Sequence, residues 1–148
     1  MAVVRFILPI LLAAGSALAD DSRAHVNYML HCQGCHLPQA EGFAGKVPRI
    51  KDFAGYFLHS AEGREFLIRV PGVAQSALRD AEVAELMNWL LESFSVEQAP
   101  ATFVRFTESE VAALRKYPIG DPATERDKIL RNLAADIPDL AVNPANNP

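Results

Sequence analysis

Apolar residues recur at helical spacing most clearly over positions 80–94. Val83, Leu86, Met87, Leu90, Leu91 and Phe94 form one stripe there, with Trp89 beside it and Asp80 as an N-cap or first-turn acid. The spacing predicts a helix whose stripe faces the core. A shorter helix is expected over 61–69, carrying Phe66 and Leu67 toward Val70 and ended by Pro71-Gly72. Ala24, Tyr28 and the Leu30-His31 pair fit an earlier helix, with Asp20 to Ser22 as its start signals. Positions 37–50 hold Pro38, Gly42, Gly45 and Pro48 and read as a loop. Beyond Pro100 a second set of elements follows. Thr107 and Glu110 make a capping box for a helix to about Lys116, with Val111 and Leu114 on one face. Asp121-Pro122 opens another, with Ile129, Leu130 and Leu133 inward. No strand and no internal repeat is visible, so the expected fold class is all-α.

The first 19 residues stand apart. Arg5 is followed by an apolar run over 6–14 and by Ala17-Leu18-Ala19, the order of charge, apolar core and small-residue cleavage site found in secretory signal peptides. The apolar core is shorter than the roughly 20 residues a membrane helix needs. The expected division is a signal peptide at 1–19, a helical domain at 20–98, a helical C-terminal extension at 99–137 and a disordered tail at 138–148. The chain carries 14 basic and 18 acidic residues, a net charge of -4; cleavage removes only Arg5, leaving 13 against 18 and -5. That balance argues against nucleic acid and against a polybasic membrane patch, and a basic partner surface would be steered toward it. After cleavage no spanning segment remains, which implies a periplasmic protein.

The two cysteines lie within Cys32-Gln33-Gly34-Cys35-His36. A disulfide at this spacing would close a very small ring and gain little loop entropy. A thioredoxin-like pair would sit near a βαβ pattern, and a zinc site would need a second pair of ligands; neither is present. C-x-x-C-H is the attachment signature of c-type haem. Thiols one helical turn apart reach the two vinyl groups on one porphyrin edge, and the next residue, His36, then presents its imidazole to the iron. Gly34 leaves room for the macrocycle edge. The sequence therefore predicts one covalent haem c on Cys32 and Cys35 with His36 as proximal ligand. Export supports this, because attachment in bacteria takes place outside the cytoplasm.

In its order of parts the segment 25–94 resembles the class I cytochrome c family: helix, C-x-x-C-H, Gly- and Pro-containing loop, short middle helix, ligand loop and closing amphipathic helix. The resemblance implies cytochrome c-like helices packed around the haem, with the extension added behind them. It implies that the Pro48 carbonyl, in Val47-Pro48-Arg49-Ile50, accepts a hydrogen bond from the proximal imidazole. It also makes Tyr28 the aromatic of the first helix and Trp89 its partner in the closing helix, both as residues of the haem pocket or its support. One departure concerns the sixth iron ligand. The family's methionine belongs in the loop at 70–78, which here holds no Met, His or Lys. His59 is the candidate distal ligand, Met87 a second one inside the stripe, and an open position the third outcome; Met29, His25 and His31 are assigned to the helix before the motif. The implied function is single-electron transfer between periplasmic redox proteins, from a dehydrogenase to a cytochrome or oxidase, and not an enzymatic reaction. An open iron would instead give a haem enzyme or small-ligand sensor. The extension could also make the chain a haem subunit of a larger dehydrogenase complex.

Overall fold

The computed structural model describes residues 15–142. Most of the signal-peptide segment and the end of the tail lie outside them. The described residues are mostly helical, with no strand and one isolated bridge between Phe43 and Val47. Helix α1 runs Gly15–His31 and α2 Gln33–His36. A 3-10 helix Ala54–His59 leads into α3, Ala61–Arg69. Then come α4, Pro71–Ala74, and α5, Asp80–Phe94. After the 3-10 turn Val96–Gln98 the chain forms α6, Glu108–Leu114, α7, Pro122–Leu133, and α8, Pro138–Val142. Because α1 begins at Gly15, cleavage after Ala19 would trim its first turn.

The stripe of α5 is the centre of the core. Val83, Leu86, Met87, Leu90 and Leu91 are all buried, and each such side chain contributes about 1.5–3 kcal/mol on leaving water. Its N-terminus is anchored by Glu82, whose carboxylate accepts from the Arg79 backbone N–H at 2.9 Å. Asp80 is thus a first-turn acid, one residue inside the cap. Helix α1 packs on α5 through Ala24 and Tyr28, one helical turn apart on its inner face. Arg23 and Glu85 pair across the same contact.

Helix α3 is capped by Ser60 Oγ, which accepts from Gly63 N–H at 3.0 Å. The 3-10 helix before it is hemmed in by two glycines. A Cβ on Gly63 would overlap the Phe57 carbonyl, and one on Gly55 would overlap the carbonyl of Ser95. Gly55 N–H donates to Ser95 Oγ at 2.8 Å across the same close approach.

The extension has no core of its own. Phe106, Val111, Ile129, Leu130 and Leu133 belong to the same apolar cluster as Tyr28, Phe57 and Leu91. Buried Asn88 of α5 fastens it: the Asn88 Oδ1 accepts from Phe106 N–H at 2.7 Å and its Nδ2 donates to Phe106 O at 3.0 Å. Thr107 caps α6 by accepting from Glu110 N–H at 3.3 Å. The expected capping box is only half made, because the Glu110 carboxylate takes the Arg64 guanidinium instead, at 2.6 and 2.8 Å. Two bonds to a full opposite charge on another helix outweigh a single bond to the backbone N–H of the cap. Asp121 caps α7 at Thr124 N–H. The tail expected to be disordered from 138 begins as helix α8, with Leu140 packed against the core. Pro138 suits the first turn of a helix, and one apolar contact gives the turn something to bury.

Candidate functional site

The motif is built as a continuation of α1. Cys32 N–H donates to Tyr28 O at 2.9 Å, and the next turn closes through His36 N–H to Cys32 O at 2.9 Å. Cys32 and Cys35 therefore lie about one turn apart, not joined to each other, Cys32 half-buried and Cys35 exposed. Burial and the neighbouring Cys35 push the Cys32 thiol up from its ordinary value. A Cβ on Gly34 would meet nothing within 4 Å, so the backbone between the thiols is open on that side.

The turn after the motif is strained. Leu37 and Ala40 have φ of 67° and 60°, which side-chain-bearing residues rarely adopt. Tyr28 holds the first of these in place, its hydroxyl donating to Leu37 O at 2.6 Å. Burial, then the charges of Cys32 and Glu41, push that hydroxyl up to about 12, so it stays a donor. Gly42, at φ 65°, then allows the chain to fold back: a Cβ there would overlap the Val47 carbonyl. The Phe43–Val47 pair exchanges hydrogen bonds of 2.9 and 2.8 Å. This return brings the Pro48 carbonyl 3.1 Å from His36 Nδ1. The carbonyl can only accept, so Nδ1 carries the proton and Nε2 keeps its lone pair. Burial pushes the His36 imidazole down, with the Pro48 bond opposing, and the neutral ring is the form that binds a metal.

Trp89 joins the two helices rather than the motif. Its ring lies 5.7 Å from Tyr28, 5.5 Å from Phe94 and 5.2 Å from His25, the last nearly parallel. The His25 stack was not readable from the sequence, where an exposed histidine on a helix gives no partner. His59 is exposed at the end of its 3-10 helix, with Nε2 2.9 Å from Gln98 O. Ligation by that nitrogen would cost this bond. Met87 is buried in the α5 stripe, and Met29 is half exposed on α1.

The donor set is two thiols and a single imidazole. Among the described residues no group of three or more His, Cys, Asp or Glu side chains could hold a metal ion. That set would fit a macrocycle-bound iron, with His36 as the protein ligand and the two thiols as attachment points. Val26, Met29, Leu30 and Phe43, which flank the motif in sequence, are exposed apolar residues. A groove of about 410 Å³ between α3 and the start of α7, lined by Glu62, Glu65, Arg69 and Asp121, contains none of these residues.

The described residues are mostly helical, and the Cys32–His36 turn with the His36–Pro48 hydrogen bond makes up the candidate site. Among curated proteins, the chain is similar to cytochrome c-552 from Thermus thermophilus, at 29% identity over 129 residues, covering 75% of this chain and 86% of the relative. Three quarters of the chain is more than the 98 residues that end at Gln98, so the likeness reaches into the extension. It supports a c-type cytochrome. No family model and no solved structure matches.

Proposed function

We propose that the chain is an exported, periplasmic electron carrier with one haem attached through Cys32 and Cys35. The observation that carries this is the single-turn Cys32–His36 segment with His36 Nδ1 fixed on the Pro48 carbonyl. When bound, the haem supplies the Fe(III)/Fe(II) couple. The protein's own residues do the rest. Thioethers at Cys32 and Cys35 would hold the group, the Pro48 carbonyl fixes the imidazole's tautomer, and the Tyr28–Leu37 bond holds the strained turn after the motif. The acidic surface suits donors and acceptors with basic docking faces. No helix among the described residues is long and apolar enough to cross a membrane.

A second reading concerns the sixth position, which in the family is served by the segment corresponding to 70–78. That segment has no Met, His or Lys, His59 Nε2 is engaged with the Gln98 carbonyl, and Met87 belongs to the core. These observations favour an open or water-bound iron face, covered but not ligated by segment 70–78. The chain would then bind small ligands there.

Mass spectrometry of the denatured protein tests the first reading. The mass should exceed that of the chain by one haem, and acid-acetone extraction should leave it attached. A haem released by acid-acetone overturns covalent attachment. The ferrous spectrum separates the two readings, since a low-spin six-coordinate haem supports a ligated carrier and a high-spin haem supports the open face.

A further inference from the structure

We infer that Arg115, in the last third of the chain, is a positioning residue that latches segment 74–80 over the iron's sixth position. This rests on the open-face reading above, in which segment 70–78 covers that position. The Arg115 side chain is 14% exposed. Its Nε donates to Ala74 O at 3.0 Å, Nη2 to Ser76 O at 2.6 Å, and Nη1 to Leu78 O and Asp80 Oδ1, both at 2.8 Å. One guanidinium thus gathers three alternate carbonyls and the first acid of α5. Only a planar fork with donors on three nitrogens can do this; an ammonium on a flexible stem cannot span the set.

The other end of the segment is fastened to the same stretch. Arg69 Nε donates to Tyr117 O at 2.8 Å, and Ile119 N–H donates to Arg69 O at 2.9 Å. Residues 115–119 therefore hold both ends of the connection between α3 and α5. Between them α4 is a single turn, closed by Ala74 N–H to Val70 O at 2.9 Å and Gln75 N–H to Pro71 O at 3.0 Å. So short a helix has little stability of its own. Its place is set by the latch and by Val73, Ala74 and Leu78 against the core. The segment offers no side chain that ligates iron well, so it can act only as a screen. It does hold one buried polar atom with no partner, Ser76 Oγ, on the residue whose carbonyl makes the shortest bond to Arg115. A buried hydroxyl without a partner is costly.

The test uses haem-loaded protein, with the covalent haem verified by mass. A wild type without haem fails at that step and overturns the underlying reading together with the inference. Two quantities are then compared in wild type, Arg115→Ala, Arg115→Lys and a control, Arg105→Ala, which removes an exposed ion pair with Glu92. The first is amide hydrogen exchange at Ala74, Gln75 and Ser76, which does not depend on the haem. The second is the association rate of carbon monoxide with the ferrous protein. In Arg115→Ala both should rise, each by about tenfold or more, with exchange in α5 changed much less and the control unchanged. Arg115→Lys should rise about threefold, and it carries the test if the alanine variant does not fold. Unchanged exchange at 74–76 overturns the latch. Faster exchange with unchanged carbon monoxide association overturns the placement of the segment over the iron. Equal acceleration throughout α5 shows a general stability role and overturns the inference as well.

Discussion

Asn88→Ala should cost about 3 kcal/mol of folding stability. Asn88 is 4% exposed and Phe106 is 3% exposed, and the amide side chain satisfies both backbone groups of Phe106. Truncation leaves an N–H and a C=O stranded in the interior. Each unsatisfied group costs about 1–3 kcal/mol, so two cost about 2–6, and a water entering the vacated space would recover part of this, which leaves a net of about 3 kcal/mol. In a chain of this length about 3 kcal/mol lowers the melting temperature by roughly 10 °C. Urea unfolding followed by far-ultraviolet circular dichroism reads the change directly. The slope with denaturant should stay the same, because the exposed surface on unfolding is unchanged. A loss below about 1 kcal/mol would refute the reasoning, since Phe106 would then have found other partners. A fall in the slope would show that the extension had already detached in the native state.

Other expectations follow from the same geometry. Tyr28→Phe removes the 2.6 Å bond to Leu37 O and should cost about 1 kcal/mol, seen in the same urea titration. Gly42→Ala places a Cβ at a left-handed φ and against the Val47 and Pro48 carbonyls, so it should destabilise by about 2 kcal/mol or more and displace the His36–Pro48 bond, which the His36 Nδ1 proton resonance reports. Glu82 is held down at about 2 by its bonds to Arg79. Its folded value lies below the unfolded one, so its contribution is present above about pH 4.5 and is lost as pH falls toward 2. Glu82→Gln should flatten that part of an acid titration of stability, by a small amount because solvent screens the pair.

Several elements were legible because local sequence and burial agree. The helix over 80–94 has a six-residue stripe and an acid at its start, and the structure places α5 on those bounds. The helix over 61–69 also falls where its Pro71-Gly72 stop puts it. The 3-10 helix Ala54–His59 was not legible. Its shape depends on Phe53 and Phe57 finding the core and on glycine contacts with distant backbone, and no local period records either. The motif was readable because C-x-x-C-H is a local pattern, and the structure sets Cys32 and Cys35 about one turn apart at the end of α1. The latch was not, since Arg115 looks like any arginine near a helix C-terminus until the carbonyls of 74–78 are brought around it. Glu110 shows the same effect in reverse: a fitting local motif was overridden by a stronger partner 46 residues away.

Two glycines, Gly55 within the 3-10 helix and Gly63 in the first turn of α3, bear on which sequences this fold accepts. Most exposed positions of a helical protein tolerate exchange, and many buried ones accept a residue of similar volume. Gly55 and Gly63 admit neither kind of exchange, because what fills the space beside them is main chain, which has no rotamer to change. A saturation library selected for folded protein should therefore show two narrow columns of near-total intolerance eight positions apart. The added methyl of alanine should already be excluded at both, while neighbouring Tyr56 and Glu62, only partly buried or exposed, accept many replacements.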